Sequence, residues 1–162
     1  MSAIFHWCES NGAGEIETQD ITNLNFGNLD TPNVNVTLYP VTRGQNSYSK
    51  YIRGFFTGTW TDITAIKFWK SLGNLVSGET IKAAANVSYV TPSKTSTGDS
   101  NIPILESTAL SVNSAEGEVN IEYGGSAVSG YTAYIRLQLQ SLISTTPGAV
   151  NQKTFTLQYD EV

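Results

Sequence analysis

The sequence has very few of the side chains on which enzymes and metal sites most often depend. Its 162 residues include one cysteine, one histidine and one methionine. A single cysteine excludes an internal disulfide, and Cys8 together with His6 falls short of any zinc ligand set. We therefore expect a domain that folds by packing alone and holds no metal or other cofactor.

Charge is scarce as well, and positive charge in particular. Charged residues make up 14% of the chain, and nine basic against fourteen acidic residues leave a net charge of −5. This balance removes any general electrostatic attraction to nucleic acid. No apolar run approaches the roughly 18 residues of a membrane-spanning helix, and the first residues do not resemble a signal peptide. The sequence predicts a soluble, unprocessed chain that binds neither nucleic acid nor membrane.

Neutral polar residues take the place of the missing charges. The chain contains 19 Thr, 17 Ser and 13 Asn beside 14 Gly, a composition that favours strands and turns over helices. Alternating apolar and polar residues predict strands near 3–9, 24–26, 34–38, 48–60, 63–69, 110–112, 119–123, 131–142 and 154–158. Gly, Pro, Asn and Asp turns separate them. We predict an all-β chain: one antiparallel β-sandwich domain over residues 1–162, immunoglobulin-like or jelly-roll, with about eight or nine strands.

Several details of this sandwich can be predicted locally. The short connection around residues 61–62 predicts a hairpin over residues 50–70, and the last two strands, 131–142 and 154–158, are expected to pair with each other. The alanine run at 82–85 is too short to nucleate more than a single helical turn. Residues 91–101 contain no apolar side chain except Pro92, which predicts an exposed, mobile loop.

The few candidates for catalysis are weak. His6 and Cys8 share a strand face with Cα atoms roughly 6.5–7 Å apart, so a thiolate–imidazolium pair is sterically conceivable. Without an orienting motif, we favour a buried thiol beside a partly buried imidazole. Two carboxylate pairs offer the alternative of a hydrolase: Glu15 with Glu17, and Glu116 with Glu118. Their spacing beside glycines favours a role in keeping a strand edge soluble, and we predict no catalytic, cofactor-binding or metal-binding residue.

Aromatic residues are concentrated in the first half of the chain and allow a different function. Core packing explains most of them, but exposed rings can also stack on sugars or anchor an interface. Trp69 is the strongest candidate because its strand face also carries Lys67. A carbohydrate-binding β-sandwich module, of a fibre-like or host-adhesion kind, is therefore the alternative to a purely structural role.

The charges are also unevenly distributed. Residues 1–42 carry five acids and no base, residues 43–82 six bases and two acids, and residues 83–162 three bases and seven acids. Stretches of opposite sign on different faces would suit contact between copies or docking onto an assembly. Ordinary solvated strand faces are the alternative interpretation.

Three blocks of the sequence resemble small virion structural proteins of tailed bacteriophages. They comprise a polar Asn-Ser-x-x-Lys entry at 46–50, an aromatic strand, and a second strand that ends in Trp-Lys-Ser-x-Gly at 69–73. The segment 149–160 is similar in style. The resemblance implies a β-sandwich accessory protein, such as a capsid decoration protein, located in the virion after assembly in the host cytoplasm. It implies no catalytic residue, and its partners would be other virion proteins such as the major capsid protein, or further copies of the chain.

Contacts with such partners are expected from the polar loops at 41–50 and 91–101. The basic candidates for this interface are Arg43, Lys50 and Arg53, with Trp69 as the aromatic one. Replacing all three bases by glutamate is expected to weaken assembly while leaving the fold intact.

Overall fold

The computed structural model describes residues 2–113, 130–146, 148 and 151–162, and within these ranges the chain forms ten strands and one 3-10 helix. The strands are β1 (Ala3–Asn11), β2 (Ile16–Gln19), β3 (Lys50–Gly58), β4 (Ile63–Leu72), β5 (Glu79–Asn86), β6 (Ser100–Asn101), β7 (Leu110–Ser111), β8 (Gly130–Tyr131), β9 (Tyr134–Ser141) and β10 (Thr154–Glu161). The helix spans Glu106–Thr108. The strand predicted at 119–123 lies outside the described residues.

The strands form two sheets that pack face to face. The larger sheet has seven strands in the order β2-β1-β3-β9-β5-β6, with β8 paired to β3, and the smaller has three in the order β10-β4-β7. Each of the strand pairs in the described ranges is antiparallel. The predicted fold class, an all-β antiparallel sandwich, is confirmed. No helix in these ranges is long and apolar enough to cross a membrane.

The core fills the space between the sheets. Side chains on the inner face of the larger sheet, such as Ile52 and Ile135, are buried against Ile66 and Phe68 of the smaller sheet. The ring of Phe56 on β3 lies 4.8 Å from that of Tyr159 on β10, in an edge-to-face arrangement. Strand alternation puts apolar residues on both inner faces, and their burial supplies the main driving force for closing the sandwich.

The strands predicted around residues 50–70 are present, but the predicted hairpin is wrong. β3 belongs to the larger sheet and β4 to the smaller one, so residues 59–62 carry the chain from one sheet to the other. Trp60 and Ile63 are buried at this crossing, and the amides of Thr61 and Asp62 donate to the Val162 carbonyl. The connection is as short as a hairpin turn. It nevertheless leads from the larger sheet into the smaller one, because Trp60 and Ile63 are buried between the sheets.

The pairing predicted for the last two long strands is also wrong. β9 lies between β3 and β5 in the larger sheet, whereas β10 pairs with β4 in the smaller sheet. The two strands lie in different sheets because the apolar inner face of each has to pack against the opposite sheet.

The alanine run is part of a strand, in agreement with its predicted inability to form more than a single helical turn, whereas two strands predicted between β2 and β3 are wrong. The alanine run at 82–85 is part of β5, where Ala83 pairs with Leu137 of β9 and is buried. Strands predicted near 24–26 and 34–38 are absent, because the segment between β2 and β3 is irregular apart from an isolated bridge at Asn46. Apolar residues of this segment still pack against the core, as Leu24 and Phe26 do.

The loop at 91–101 is mostly exposed, as predicted, but it is fastened to the larger sheet. Gln138 on β9 is fully buried, and its side-chain nitrogen donates to the carbonyl oxygens of Ser47 and Thr95 at 3.2 and 3.0 Å. The Gln138 side-chain oxygen accepts from the Thr97 amide at 3.1 Å. The side chain of Gln138 therefore holds this loop over part of the outer face of β9.

Candidate functional site

The four interface candidates from the sequence lie in different environments and do not form one surface. Arg43 is exposed in a loop, Lys50 is fully buried, and Arg53 and Trp69 are half-buried. Because side chains alternate along a strand, Lys50 points to the inner side of β3 and Arg53 to the outer side. Each position therefore has to be judged by its own contacts.

Lys50 lies out of reach of any neighbouring molecule. Its Nζ donates to Glu9 Oε1 at 2.7 Å and to the Thr31 carbonyl at 2.8 Å, and both side chains of the ion pair are 0% exposed. A Lys50→Glu change would bury two carboxylates side by side without a counter-charge. The structure therefore predicts, contrary to the expectation from the sequence, that the triple glutamate variant is strongly destabilised.

Arg53 is the centre of a polar cluster on the outer face of the larger sheet. Its guanidinium carbon lies 3.8 Å from the ring centre of Tyr131 and 4.5 Å from that of Tyr134. Its Nε and Nη2 donate to Glu17 Oε2 at 3.0 and 2.6 Å, and Tyr131 donates to the other Glu17 oxygen at 3.0 Å. Tyr134 donates to Glu15. We call Glu15, Glu17, Arg53, Tyr131 and Tyr134 the tyrosine–arginine patch.

Strand register assembles this patch. β2 places Glu17 opposite Ser10 of β1, and β3 places Arg53 opposite Cys8 of the same strand. β8 then adds Tyr131 on the far side of β3. Sequence reasoning missed the cluster because Tyr131 and Glu17 are 114 positions apart in the chain. The one available signal was the alternation of 131–142, which placed Tyr134 on the polar face.

Protonation in the patch is fixed around neutral pH. Burial, together with the hydrogen bond to Glu15, raises the pKa of Tyr134 to about 12. Burial and Glu17 likewise raise the pKa of Tyr131. Burial alone would raise the pKa of Glu17, but hydrogen bonds led by that from Arg53 outweigh it and lower this pKa overall. These three groups keep one charge state near neutrality, which suits binding better than proton transfer.

A half-exposed row of rings extends the patch toward the edge of the sheet. Phe55 stacks on Tyr131 with 4.6 Å between ring centres, and His6 lies 5.7 Å from Phe55. His6 Nδ1 is 2.6 Å from an Asp20 oxygen, and His6 Nε2 is 3.1 Å from the Thr57 hydroxyl. We call His6, Phe55 and Tyr131 the aromatic row. It combines apolar ring surface with hydrogen-bonding groups on its border.

Cys8 is not an activated nucleophile. The side chain is fully buried, and burial, reinforced by the nearby Glu17 carboxylate, raises the pKa of the thiol to about 12. The two His6 ring nitrogens are held by Asp20 and Thr57 rather than by the thiol. The structure agrees with a buried thiol beside a partly buried imidazole, since thiolate formation is strongly disfavoured there.

A second surface of interest lies at one end of the sandwich, around Arg43. The loop 42–45 is hydrogen-bonded to Ser141 at the end of β9, and a Cβ added to Gly44 would lie 3.6 Å from the Ile143 Cβ. Leu142 and Ile143 are 63% and 79% exposed. We call Arg43, Leu142 and Ile143 the loop-end patch: two large, exposed apolar side chains follow β9, and an exposed arginine is carried by the loop that lies against them.

Trp69 lies on the outer face of the smaller sheet, as its alternation with the buried Ile66 and Phe68 predicts. It is paired in register with Thr156 of β10 and is half-buried. Lys67, two positions earlier on the same strand face, lies 3.7 Å from Glu106. This surface is distinct from the aromatic row, which belongs to the other sheet.

Part of the uneven charge of the sequence is paired within the chain. Glu17 of the acidic first segment binds Arg53 of the basic second segment, and the Glu9–Lys50 pair joins the same two segments. Pairing across β1, β2 and β3 therefore accounts for some of the segregated charges.

Of the carboxylates considered for a hydrolase, Glu15 and Glu17 both belong to the tyrosine–arginine patch, where each is bound to another side chain. Glu15 accepts from Tyr134 while Glu17 binds Arg53, and Glu116 and Glu118 lie outside the described residues. Within those ranges no group of three or more His, Cys, Asp or Glu side chains is arranged to hold a metal ion. The surfaces described above are therefore the ones from which function can be argued.

Comparison with known proteins adds no further constraint. The chain matches no model of a known protein family, no curated protein and no solved structure. Its function has to be inferred from the chemistry of the loop-end patch, the tyrosine–arginine patch and the aromatic row.

Proposed function

We propose that this chain is a non-enzymatic structural protein of a tailed-phage virion that binds other virion proteins, with capsid decoration as the first role to test. The observation that carries the proposal is the loop-end patch. Leu142 and Ile143 are consecutive in the chain, large, apolar and mostly exposed, and the loop that carries Arg43 lies against Ile143 through Gly44. Contiguous exposed apolar surface of this kind is characteristic of interaction sites.

The chemistry of the loop-end patch defines the partner surface. Apolar side chains with an arginine at their border resemble the composition of protein–protein interfaces, where arginine is enriched and most other charges are depleted. A matching surface would offer an apolar depression for Leu142 and Ile143 and a carboxylate for Arg43. Modest contacts suffice in a virion, because a lattice of identical subunits repeats each contact many times.

Binding to capsids tests this proposal. The probe is a capsid assembled from the major capsid protein encoded in the same phage genome, mixed with the purified chain and sedimented. The wild-type chain should cosediment, whereas Leu142→Ser combined with Ile143→Ser should bind about tenfold more weakly, which is roughly 1.4 kcal/mol. Arg43→Glu should weaken binding in the same direction, since it reverses the charge at the border of the patch.

Ile4→Ser is the matched control, because Ile4 is 57% exposed and pairs with Thr57 of β3, at the opposite end of the larger sheet from Ser141. It should bind as the wild type does. Unfolding midpoints near that of the wild type should confirm that all variants are folded. If the wild-type chain fails to cosediment, or if the Leu142 and Ile143 changes have no more effect than Ile4→Ser, the proposed role or its surface is wrong.

A carbohydrate-binding function is the second candidate, and the aromatic row favours it. Phe55 and Tyr131 present stacked, half-exposed rings, and Asp20 and Glu17 supply carboxylates beside them. Aromatic faces bind the apolar faces of sugar rings, while carboxylates accept hydrogen bonds from sugar hydroxyls.

A glycan array with fluorescently labelled protein tests the second candidate. Binding that is lost on Phe55→Leu and retained on Trp69→Ala would place the sugar on the aromatic row. The reverse result would place it on the smaller sheet at Trp69. A wild-type chain that binds no glycan on the array would exclude this candidate.

A further inference from the structure

A buried amine, a carboxamide and a carboxyl group meet where β1 ends and β3 begins. Glu9 and Asn11 lie on the inner side of β1, and Lys50 opens β3 on the same side. The register pairs Ser10 with Tyr51, so Asn11 and Lys50 occupy the adjoining position of this strand pair. All three side chains are buried. None of them has a part in the surfaces discussed above.

The three groups share one oxygen atom. Glu9 Oε1 accepts from Lys50 Nζ at 2.7 Å and from Asn11 Nδ2 at 3.0 Å. The separation between Lys50 Nζ and Asn11 Nδ2 is therefore no larger than the sum of these two distances. Lys50 is a nucleophile when it is neutral, the Asn11 carbonyl carbon is an electrophile, and Glu9 can carry a proton between them.

Two of the remaining oxygens in this cluster have no partner. Glu9 Oε2 and Asn11 Oδ1 are both buried and accept no hydrogen bond. Buried acceptors without a donor are rare in folded proteins and call for an explanation. If Lys50 gives its proton to Glu9, the Glu9 carboxyl gains an O–H donor, and an amide oxygen such as Asn11 Oδ1 is a suitable acceptor.

We propose that Lys50 and Asn11 form an intramolecular isopeptide bond, with Glu9 as the proton carrier. The ammonium group of Lys50 first passes a proton to Glu9, which leaves a neutral amine and a carboxylic acid. The amine nitrogen attacks Cγ of Asn11 while the Glu9 acid stabilises the oxygen that becomes negative. The Cγ–Nδ2 bond then breaks, and Nδ2 leaves as an ammonium ion after gaining two of the three Nζ protons, which Glu9 has relayed, while the third stays on the new amide nitrogen. The step releases one ammonium ion, regenerates the Glu9 carboxylate and needs no oxidant.

A competing reaction at the same residue would also release ammonia. Asn11 precedes Gly12, and attack of the Gly12 amide nitrogen on the Asn11 side chain would produce a cyclic imide. In the structure the Gly12 amide donates to Asp30 Oδ2 at 2.8 Å, and Asp30 Oδ1 accepts from Asn11 Nδ2 at 2.8 Å. Because the Gly12 amide is already hydrogen-bonded to Asp30, it is held away from the attack on Asn11. This favours Lys50 as the attacking group.

Mass spectrometry of the full-length wild-type chain, denatured after purification, tests the proposal. The intact mass should be lower than the sequence mass by one ammonia. A tryptic digest should lack cleavage after Lys50 and should contain a branched peptide that joins the segments around Asn11 and Lys50. An unmodified intact mass would overturn the proposal. So would loss of ammonia confined to Asn11 and Gly12, with normal cleavage after Lys50.

The digest contains its own control. Lys82 Nζ donates to Asn101 Oδ1 at 2.8 Å, but this pair is exposed, and in the described part of the chain no carboxylate bonds to both side chains. Trypsin should cleave after Lys82, and no branched peptide should join it to Asn101. A Glu9→Gln variant keeps the size of the side chain and removes the proton carrier, so a soluble variant should show the unmodified mass. If Glu9→Gln proves insoluble, the wild-type mass and digest still decide the matter.

Discussion

Replacing Lys153 by methionine is expected to lower the free energy of unfolding by about 3–5 kcal/mol. Lys153 Nζ lies 2.7 and 2.9 Å from the two oxygens of Glu79, and the side chains are only 7% and 3% exposed. Lys153 immediately precedes β10 and Glu79 begins β5, so the pair ties the smaller sheet to the larger one. Without Lys153 the buried Glu79 carboxylate keeps, among the residues that the structure describes, the Val76 amide as its donor. Urea denaturation at neutral pH measures the loss.

Lys67→Met is the matched control for this prediction. Lys67 and Glu106 are 3.7 Å apart and 43% and 54% exposed, so removing the lysine should cost less than about 1 kcal/mol. The double variant Lys153→Met with Glu79→Met should recover part of the loss, because it no longer leaves a buried charge unpaired. Equal losses for Lys153→Met and Lys67→Met would contradict the importance assigned to burial.

Phe56→Ala should also destabilise the fold strongly, by about 3–5 kcal/mol. Phe56 is fully buried, and its ring lies 5.3 Å from that of Phe5 and 4.8 Å from that of Tyr159. Phe5 belongs to the larger sheet and Tyr159 to the smaller one, so the missing ring leaves a cavity between the sheets. The shift in the urea midpoint, with the denaturant dependence unchanged, provides the measurement.

Phe55→Ala is the control for this cavity, because it removes the same side chain one position earlier on the strand. Phe55 points to the outer face, where it is half-exposed and stacks on Tyr131. Its loss should cost about 1 kcal/mol, in the range of a single aromatic contact. A Phe55→Ala variant as unstable as Phe56→Ala would mean that the two faces of β3 are assigned wrongly.

These controls depend on a property that could be predicted from the sequence, namely which way each side chain points. The alternation of residues 3–9 puts Phe5 and Trp7 on one face of the strand, and both pack against the core. The alternation of residues 131–142 likewise puts Ile135 and Leu137 on one face of β9, and both are buried between the sheets. Period-two alternation predicts these faces because successive side chains of any strand point in opposite directions, whatever the strand pairs with.

The pairing of strands could not be predicted in this way. β3 and β4 are connected by as few residues as a hairpin, yet they lie in different sheets. The alanine run of β5 is a strand because it pairs with the edge of β9. No pattern in the neighbouring sequence indicates that partner. Partner choice depends on which arrangement buries both apolar faces at once, which is a property of the whole chain.

The candidate sites likewise combine features that could be predicted from the sequence with features that could not. Arg43, Arg53 and Trp69 could be identified from the sequence as charged or aromatic groups near loops and strands, and the sequence also showed that proton-handling residues are few. That Lys50 is buried with Glu9 could not be read from the sequence, and neither could the position of Arg53 between two tyrosines from strands formed much later in the chain.

The sequence by itself thus determined the β character of this protein, the two faces of its long strands and its poverty in catalytic groups. Only the tertiary structure decided which strands meet, which charges are buried and which apolar side chains stay exposed. The physical reason is range: alternation and turn chemistry act over a few residues, whereas burial depends on segments that are distant in the chain and adjacent in space.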